Sequence, residues 1–483
     1  MDWGLVTDIA YIVFVIAASL HIIYNVRSSE KALAYVLVTI FLPVVGITVY
    51  LAFGLNYRKN KLYSKKIIRD KKILDELHSR IRLESEKALG TSDPEIQKNK
   101  RLAKYLLHDG LSPLSGSNEV KLLINGEEKF PELLNAMKSA RHHIHIQYYI
   151  FEDGEIAEQI KKVLLQKAAE GVQVRFIYDD FGSRSIRKKF VEELQSGGVE
   201  AYPFYKIFFI LFANRVNFRN HRKLVVIDGC IGFTGGINVS DRYINTLGKK
   251  GQVYWRDTHV KITGPGVYYL QYLFICDWNF CSGKHLKIHP DYFCAAPVKN
   301  GAATVQIAAS GPDSDMPTLM YSISQAINNT ENELLITTPY FIPGENIMDA
   351  LNVAAMSGVQ VKLLVPFRSD SAFINAAARA NYGQLMEAGV EIYRYKKGFV
   401  HAKTIVSDGQ LAIVGTANMD HRSFELNFEV NSMIYHDKTA QHLRNVFYDD
   451  LKNAERINLK AWEKRPFYKK MPERLVSLLA PLL

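Results

Sequence analysis

The chain carries one pattern twice, and this duplication constrains its fold more than any other feature. Both copies read H-x-K-x4-D. Their histidine, lysine and aspartate are His221, Lys223 and Asp228 in the first copy, and His401, Lys403 and Asp408 in the second. Flanking segments also repeat: GVQVR at 171–175 returns as GVQVK at 358–362. A period of roughly 190 residues indicates a domain that was duplicated and fused, because solenoid repeats are much shorter.

Each repeat alternates β-rich segments with segments of helical pattern. In the first repeat an apolar β-rich run at 143–151 precedes a helical stretch at 155–170 and a further strand at 172–178. This order predicts an α/β fold with a mostly parallel or mixed sheet covered by helices. Proline and glycine collect between the repeats, so we assign 118–295 to the first domain and 296–483 to the second.

Two apolar runs precede these domains. Residues 9–26 and 32–54 contain no Asp, Glu, Lys or Arg, and a helix that spans a bilayer needs about 20 mostly apolar residues. The link at 27–31 is too short to hold a domain. We therefore predict a transmembrane helical hairpin over 1–57, followed by a basic, helical linker over 58–117.

The distribution of cations predicts the orientation of this hairpin. Eight Lys and Arg residues lie at 58–72, whereas the short link has only Arg27 and Lys31, with Glu30 between them. Positive charge remains on the cytoplasmic side, so we expect cytoplasmic catalytic domains. The formal net charge of the chain, +11, also suits an anionic partner such as lipid, nucleic acid or another phosphate ester.

The chain has four cysteines, at positions 230, 276, 281 and 294. They are too few for a disulfide scaffold, and no histidine pattern around them indicates a zinc site. We expect buried free thiols in a reducing compartment. No carboxylate cluster predicts a magnesium site either.

The spacing of the duplicated motif has a chemical meaning. His221 and Lys223 are two residues apart, so on a strand their side chains share a face. Pairing the halves about a pseudo-twofold axis brings together two imidazoles, two ammonium groups and the amides of Asn238 and Asn418, each 17 residues after its histidine. Lysine and asparagine can bind phosphodiester oxygens, while one histidine attacks phosphorus and the other protonates the leaving alcohol. The lysines supply the positive charge, so no metal or other cofactor is expected.

These residues resemble the paired HKD motifs of the phospholipase D superfamily. NHRK at 220–223 with GGIN at 235–238, WRDTH at 255–259 and NMDHRSFELNFE at 418–429 are similar to bacterial cardiolipin synthases, as is the N-terminal hairpin. The resemblance covers nearly the whole chain. It implies two fused phospholipase D-like α/β-sandwich domains, related by pseudo-twofold symmetry and preceded by the transmembrane hairpin.

The resemblance also implies roles for individual residues. The first-motif histidine of the superfamily is usually the nucleophile, which assigns attack to His221 and acid–base work to His401; geometry alone leaves the two exchangeable. Asp257 and Glu429 match acidic residues that hold the histidines, and we expect each to contact the histidine of the opposite half. The two motif aspartates should brace their motifs rather than touch substrate.

The implied reaction is phosphatidyl transfer between two phosphatidylglycerol molecules at the bacterial inner membrane, giving cardiolipin and glycerol through a phosphatidyl-histidine. A hydrolytic phospholipase D, or a synthase that uses another alcohol, would share this catalytic centre. A nuclease is disfavoured because cytoplasmic DNA requires no membrane anchor, and a non-enzymatic lipid scaffold because both motifs are intact. The apolar segment 207–212 could dip into the membrane or form core.

Overall fold

The computed structural model describes residues 3–26, 29–51, 83, 85–90, 94–109, 112–186, 188–205, 218–247, 252–294, 298–299, 301–312 and 314–478. The N-terminal helices are α1 (Trp3–Asn25), α2 (Ser29–Phe41) and α3 (Pro43–Val49). The basic run at 58–72 and the apolar segment 207–212 lie outside the described residues.

Helix α1 is the one helix in the described part of the chain that is long and apolar enough to cross a membrane, by length and composition, over Val6–Asn25. The second expected span is not one continuous helix. Helix α2 ends where Pro43 begins α3, because proline lacks the N–H that would continue the helix. Thirteen residues of helix reach only about 20 Å, less than the roughly 30 Å of a bilayer core.

The next elements are α4 (Pro94–Lys98), α5 (Lys100–Asp109), β1 (Ser115–Ile124), α6 (Asn125–Lys138), β2 (His143–Tyr148), α7 (Glu155–Ala169), β3 (Gln173–Tyr178), α8 (Lys189–Ser196), β4 (Glu200–Pro203), β5 (Leu224–Ile227), β6 (Ile231–Gly235), β7 (Tyr254–Arg256), β8 (Thr258–Thr263) and α9 (Tyr268–Cys281). Short 3₁₀ turns lie at Arg184–Ile186, Asp241–Tyr243, Asn245–Leu247, Pro265–Val267 and Pro290–Tyr292.

The second half comprises β9 (Ala303–Ser310), α10 (Thr318–Asn329), β10 (Glu333–Thr337), β11 (Phe341–Ile342), α11 (Glu345–Met356), β12 (Gln360–Pro366), α12 (Ala372–Glu387), β13 (Glu391–Tyr395), β14 (Gly398–Val400), β15 (Thr404–Ser407), β16 (Leu411–Gly415), β17 (Met419–Asp420), α13 (His421–Glu425), β18 (Glu429–Tyr435), α14 (Asp437–Leu451), β19 (Ala454–Arg456), α15 (Leu459–Glu463) and α16 (Phe467–Ser477).

The strand order repeats between the halves. The first half runs β4-β3-β2-β5-β6-β8-β1 and the second β13-β12-β10-β15-β16-β18-β9, with β19 added beyond β13. Strands β1 and β9 pair antiparallel, Ser115 opposite Val305 and Asn118 opposite Ala303, and this contact joins both halves into one 15-stranded sheet. The duplicated α/β fold expected from the sequence is confirmed.

Helices cover both faces of this sheet. Residues of α6, α7 and α8 pack on one face of the first half, and residues of α10, α11 and α12 pack on the second. Helices α9 and α14 contribute to a third core shared by both halves, including Trp278, Phe447 and the strand residues Leu122 and Val430. Burying a large apolar side chain stabilises a fold by about 1.5–3 kcal/mol, so this shared core fixes one half against the other.

The linker ahead of the first half is partly built into the second. Helix α5 buries Leu102, Ala103, Leu106 and Leu107 in the same core as α10. Gln306 on β9 donates a hydrogen bond to the carbonyl of Ala103 at 3.1 Å. These contacts fix α5 against the second half.

The cysteine prediction is wrong for two of the four thiols. Cys230, in the turn after β5, forms a disulfide with Cys294, whereas Cys276 and Cys281 are free. The partners are 64 residues apart and meet because the segment after α9 folds back onto this turn. Gly229 has φ of +67°, and a Cβ there would lie 2.3 Å from the carbonyl oxygen of Tyr292. Only a tertiary contact brings these cysteines together.

Candidate active site

Each motif ends in a turn that its aspartate braces. The Asp228 carboxylate accepts the backbone N–H groups of residues 141, 142 and 143 at 2.8, 2.8 and 2.9 Å. The Asp408 carboxylate accepts those of residues 331, 332 and 333 at 2.9, 2.7 and 2.9 Å. Both aspartates have φ of +50°, a left-handed conformation that aspartate tolerates better than most residues. The aspartates thus tie β5 to β2 and β15 to β10.

The motif histidines and lysines lie just before these strands rather than on them, since β5 begins at Leu224 and β15 at Thr404. The Lys223 Nζ donates to the carbonyl of His221 at 2.9 Å, and the second motif repeats this contact. The strands anchor the C-terminal side of each motif, while the histidines reach across to the opposite half.

Each histidine is held by a carboxylate of the other half. The Nδ1–H of His221 donates to Glu429 at 2.9 Å, and the Nδ1–H of His401 donates to Asp257 at 2.7 Å. The histidine backbone N–H donates to the carbonyl of the residue before that carboxylate, at 3.0 Å for His221 and 2.7 Å for His401. This arrangement fixes the tautomer with the Nδ1 proton, so both Nε2 lone pairs remain for chemistry.

Burial keeps both histidines neutral. It lowers the pKa of His401 to about 4, and the neighbouring Lys403 lowers it further against the opposing pull of Asp257. Burial also lowers the pKa of His221, although the Glu429 carboxylate raises it in part. A neutral imidazole is the form that can attack phosphorus or accept a proton.

The two motif lysines are both buried and repel each other electrostatically. Burial, together with mutual repulsion, lowers the pKa of Lys223 to about 7. Burial lowers the pKa of Lys403 to about 8, against the nearby carboxylates of Asp257 and Glu429. An anion bound between these lysines would favour their charged forms. This pair of buried cations is thus suited to a phosphodiester.

The two asparagines have different surroundings. Asn238 donates to the hydroxyl of Tyr243 at 2.9 Å and accepts from the backbone N–H of Ile150 at 3.3 Å. Asn418 donates its backbone N–H to Ser423 at 3.1 Å. Its side-chain Oδ1 is buried with no hydrogen-bond partner among the described residues. Both side chains line the cavity between the histidines.

Sequence reasoning missed the residues that orient Glu429. The Thr416 hydroxyl donates to Glu429 Oε2 at 2.5 Å, and the Asn427 amide donates to Oε1 at 3.2 Å. The position equivalent to Thr416 in the first half, 180 residues earlier like the paired histidines, is Gly236. There a Cβ would lie 2.1 Å from an oxygen of Asp257. The sequence therefore held a signal for the role of Thr416: the two repeats differ at this position.

A cavity of roughly 320 Å³ joins the two motifs. Both halves line it, with the residues Tyr149, Ile150, Arg219, His221, Asn238, Arg242, Tyr243, Trp255, Tyr340, Ile342, Asp370, Ile374, His401, Asn418, Asp420, Arg422 and Asn427. Among the residues that the structure describes, no group of three or more His, Cys, Asp or Glu side chains is placed to hold a metal ion. The positive charge at the site comes from lysine and arginine.

Known proteins resemble this chain in fold and in sequence. Phosphatidylserine synthase of Haemophilus influenzae superposes with a TM-score of 0.59 at 14% identity, covering 80% of this chain and 98% of that one. Polyphosphate kinase of Porphyromonas gingivalis superposes with a TM-score of 0.50 at 11% identity, covering 76% and 54%. At these identities the likeness concerns the fold.

Sequence similarity is far closer to one family. Residues 133–249 and 323–451 match the family described as cardiolipin synthase, PLD-like domain, and residues 13–54 match the phospholipase D-nuclease N-terminal family. Cardiolipin synthase of Alkalihalophilus pseudofirmus is 39% identical over 99% of this chain and 93% of its own. Cardiolipin synthase of Listeria monocytogenes is 38% identical over 98% of each. The chain therefore belongs to the cardiolipin synthase family of phospholipase D-like proteins.

Proposed function

We propose that this protein is a phosphatidyltransferase that makes cardiolipin and glycerol from two molecules of phosphatidylglycerol. The observation that carries the proposal is the geometry of the cavity: two neutral imidazoles, each held by a carboxylate of the opposite half, line one cavity. The buried Lys223 and Lys403 act electrostatically on both imidazoles. The names of the relatives, which are 38–39% identical over nearly the full length, support the same reaction.

In the first half-reaction the Nε2 of His221 attacks the phosphorus of one phosphatidylglycerol. A phosphorus–nitrogen bond forms and the phosphorus–oxygen bond to the headgroup breaks. His401 gives a proton to the departing oxygen, which leaves as glycerol. The negative charge of the bound phosphodiester raises the proton affinity of His401 above its value in the empty site, so it can serve as the acid.

In the second half-reaction a second phosphatidylglycerol provides the acceptor hydroxyl. His401 takes the hydroxyl proton, the oxygen attacks phosphorus, and the phosphorus–nitrogen bond to His221 breaks. One phosphodiester replaces another, so the reaction should be close to isoenergetic and reversible.

The lysines and asparagines stabilise the five-coordinate transition state. Lys223, Lys403, Asn238 and Asn418 surround the reacting phosphate and donate hydrogen bonds to its non-bridging oxygens. These donors are in place before reaction, so little reorganisation accompanies the build-up of negative charge. The carboxylates of Asp257 and Glu429 stabilise each histidine when it becomes positively charged.

Membrane association fits lipid substrates. We further propose two membrane spans and cytoplasmic catalytic halves in the bacterial inner membrane, from the two uncharged apolar runs and from the eight cations at 58–72. The Cys230–Cys294 disulfide argues for the opposite side, because disulfides persist mainly in oxidising compartments. Labelling of intact cells with a membrane-impermeant thiol reagent, before and after reduction, distinguishes the two orientations.

The reaction is tested with purified protein in vesicles that contain phosphatidylglycerol alone. Mass spectrometry follows lipids and released glycerol, and the His221→Ala protein is the control. Cardiolipin with an equimolar amount of glycerol supports the proposal. Phosphatidic acid with glycerol would instead mean that water is the acceptor, and no lipid turnover would contradict the proposed substrate.

A further inference from the structure

Arg219 is a buried cation at the edge of the catalytic cavity. Arg219 is 4% exposed, and its Nη1 atom has no hydrogen-bond partner among the described residues. The guanidinium lies 4.5 Å from the ring centroid of Phe181. The nearby carboxylate of Asp179 already accepts backbone N–H groups from residues 181, 182 and 220. Burying a donor nitrogen without a hydrogen-bond partner is unfavourable, so Nη1 is suited to an anion that enters the cavity.

A second arginine, from the other half, lines the same cavity. This residue is Arg422, on α13, and it acts electrostatically on Arg219, as does Arg184. Both arginines also act on Tyr149, whose ring lies 4.8 Å from the ring of His221. Two like charges held close together repel, and a phosphate between them would relieve that repulsion.

The pseudo-twofold axis shows that this pair exists on one side only. The equivalent of Arg219 is Phe399, which packs against Trp255 at 4.9 Å between ring centroids. The equivalent of Arg422 is Arg242, which pairs with Glu152. The histidines, lysines and asparagines that surround the reacting phosphate are duplicated, whereas the arginine pair is not. The arginines therefore serve something other than the reacting phosphate.

We propose that Arg219 and Arg422 bind a second phosphate, that of the acceptor phosphatidylglycerol, and hold it again in the cardiolipin product. This subsite rests on the proposed function, because only a phosphatidyl acceptor brings a second phosphodiester into the cavity. A three-carbon bridge separates the two phosphates of the product, so the second lies beside the first. The planar guanidinium fork binds phosphate oxygens in pairs, which places the acceptor hydroxyl toward the reacting phosphorus.

Two reactions of the same enzyme isolate this subsite. One is cardiolipin formation from phosphatidylglycerol; the other is headgroup exchange, in which ¹³C-glycerol replaces the glycerol of phosphatidylglycerol. Exchange uses the same donor, the same histidines and an acceptor without phosphate. We expect Arg219→Gln and Arg422→Gln to lower the ratio of cardiolipin formation to exchange by about 10- to 100-fold, as for a lost hydrogen bond to a charged group. Arg219→Lys should restore part of the ratio.

Arg242→Gln is the matched control, because it removes one positive charge from the same cavity on the other side. Its ratio should match wild type. Continued exchange by the arginine variants shows that they are folded. An unchanged ratio in Arg219→Gln and Arg422→Gln would overturn the proposal, and so would an equal ratio change in Arg242→Gln. Failure of wild-type protein to make cardiolipin would count against the proposed function instead, and its exchange would still be measured.

Discussion

The two histidines have the same hydrogen-bond partners in kind but lie in different surroundings. Around His221 the cavity wall is cationic, with Arg219 and Arg422 close to Tyr149. Around His401 the Trp255 ring lies 5.5 Å away, and Arg242, which lies over that ring, is paired with Glu152. Duplication has kept the groups that one phosphodiester needs and has let the flanking positions diverge. This difference agrees with the proposal that the two sides of a symmetric catalytic centre serve lipids with different roles.

The carboxylates differ in the same way. Glu429 is one methylene longer than Asp257 and receives hydrogen bonds from a threonine hydroxyl and an asparagine amide. Asp257 accepts the backbone N–H of Thr258 at 2.7 Å and packs against Gly236. The longer side chain is thus held by side chains, and the shorter one by backbone. Substitutions at equivalent positions of the halves can test whether these differences matter.

The largest effect should come from the histidines themselves. His221→Ala removes the proposed nucleophile and should abolish cardiolipin formation. His401→Ala removes acid–base catalysis, a loss of about 10²- to 10⁴-fold. Initial rates with phosphatidylglycerol vesicles measure both. Equal residual activity in the two variants would mean that the histidines do not have separate roles.

The disulfide gives the second comparison between the halves, because it cross-links a turn of the first half that has no disulfide in the second. The equivalent of Cys230 in the second half is Gln410. Closing a loop of this length stabilises a protein by about 2–4 kcal/mol, so Cys230→Ser should lower the free energy of unfolding by that amount. Denaturant titration in detergent, with Gln410→Ser as the matched control, measures the difference. A wild-type protein that is equally stable with and without reductant would contradict this.

The carboxylates should rank next. Asp257→Asn and Glu429→Gln keep the shape but remove the charge that orients and stabilises each histidine, and we expect a loss of about 10- to 100-fold in kcat. Thr416→Val, which removes one hydrogen bond to Glu429, should cost only a few-fold. Both kcat and KM should be measured for each of these variants. A loss confined to KM would show that the carboxylates bind substrate rather than act through the histidines.

Acid sensitivity concerns the stability of the fold rather than turnover. His401 and His143 stay neutral in the folded protein until the pH approaches about 4, whereas in the unfolded chain they take up protons near pH 6.5. The unfolded state therefore binds more protons between these values. The free energy of unfolding should fall there as the pH falls, by about 1.4 kcal/mol per pH unit for each histidine. In His401→Gln the free energy of unfolding should depend less steeply on pH, by about 1.4 kcal/mol per pH unit. An unchanged slope would contradict this prediction.

Much of the catalytic centre could be predicted from sequence because duplication leaves a readable trace. The paired motifs indicated that the halves meet, and the resemblance paired each histidine with a carboxylate of the other half, as the structure places them. The order of strands and the β1–β9 junction depend on tertiary packing, which no local pattern encodes. The break between α2 and α3 was readable, since Pro43 stands inside the second apolar run.

The arginine pair and the disulfide could not be predicted in the same way. Arg219 precedes its histidine by two residues, but its meaning depends on Arg422, which is brought close only by the meeting of the halves. Cys230 and Cys294 meet because the segment after α9 folds back. In each case the chemistry lies in a contact between distant parts of the chain. A search for positions where the two repeats differ would have singled out Arg219 opposite Phe399.

The most direct test of the account is to trap the covalent intermediate. Protein would be mixed with ³²P-labelled phosphatidylglycerol, quenched in alkali because phosphohistidine is acid-labile, and digested for peptide mapping. The account predicts label on the peptide that contains His221 in the wild type, slower labelling in His401→Ala because His401 serves in both half-reactions, and none in His221→Ala. Label on His401, or turnover with no labelled histidine in any of the three proteins, would contradict it.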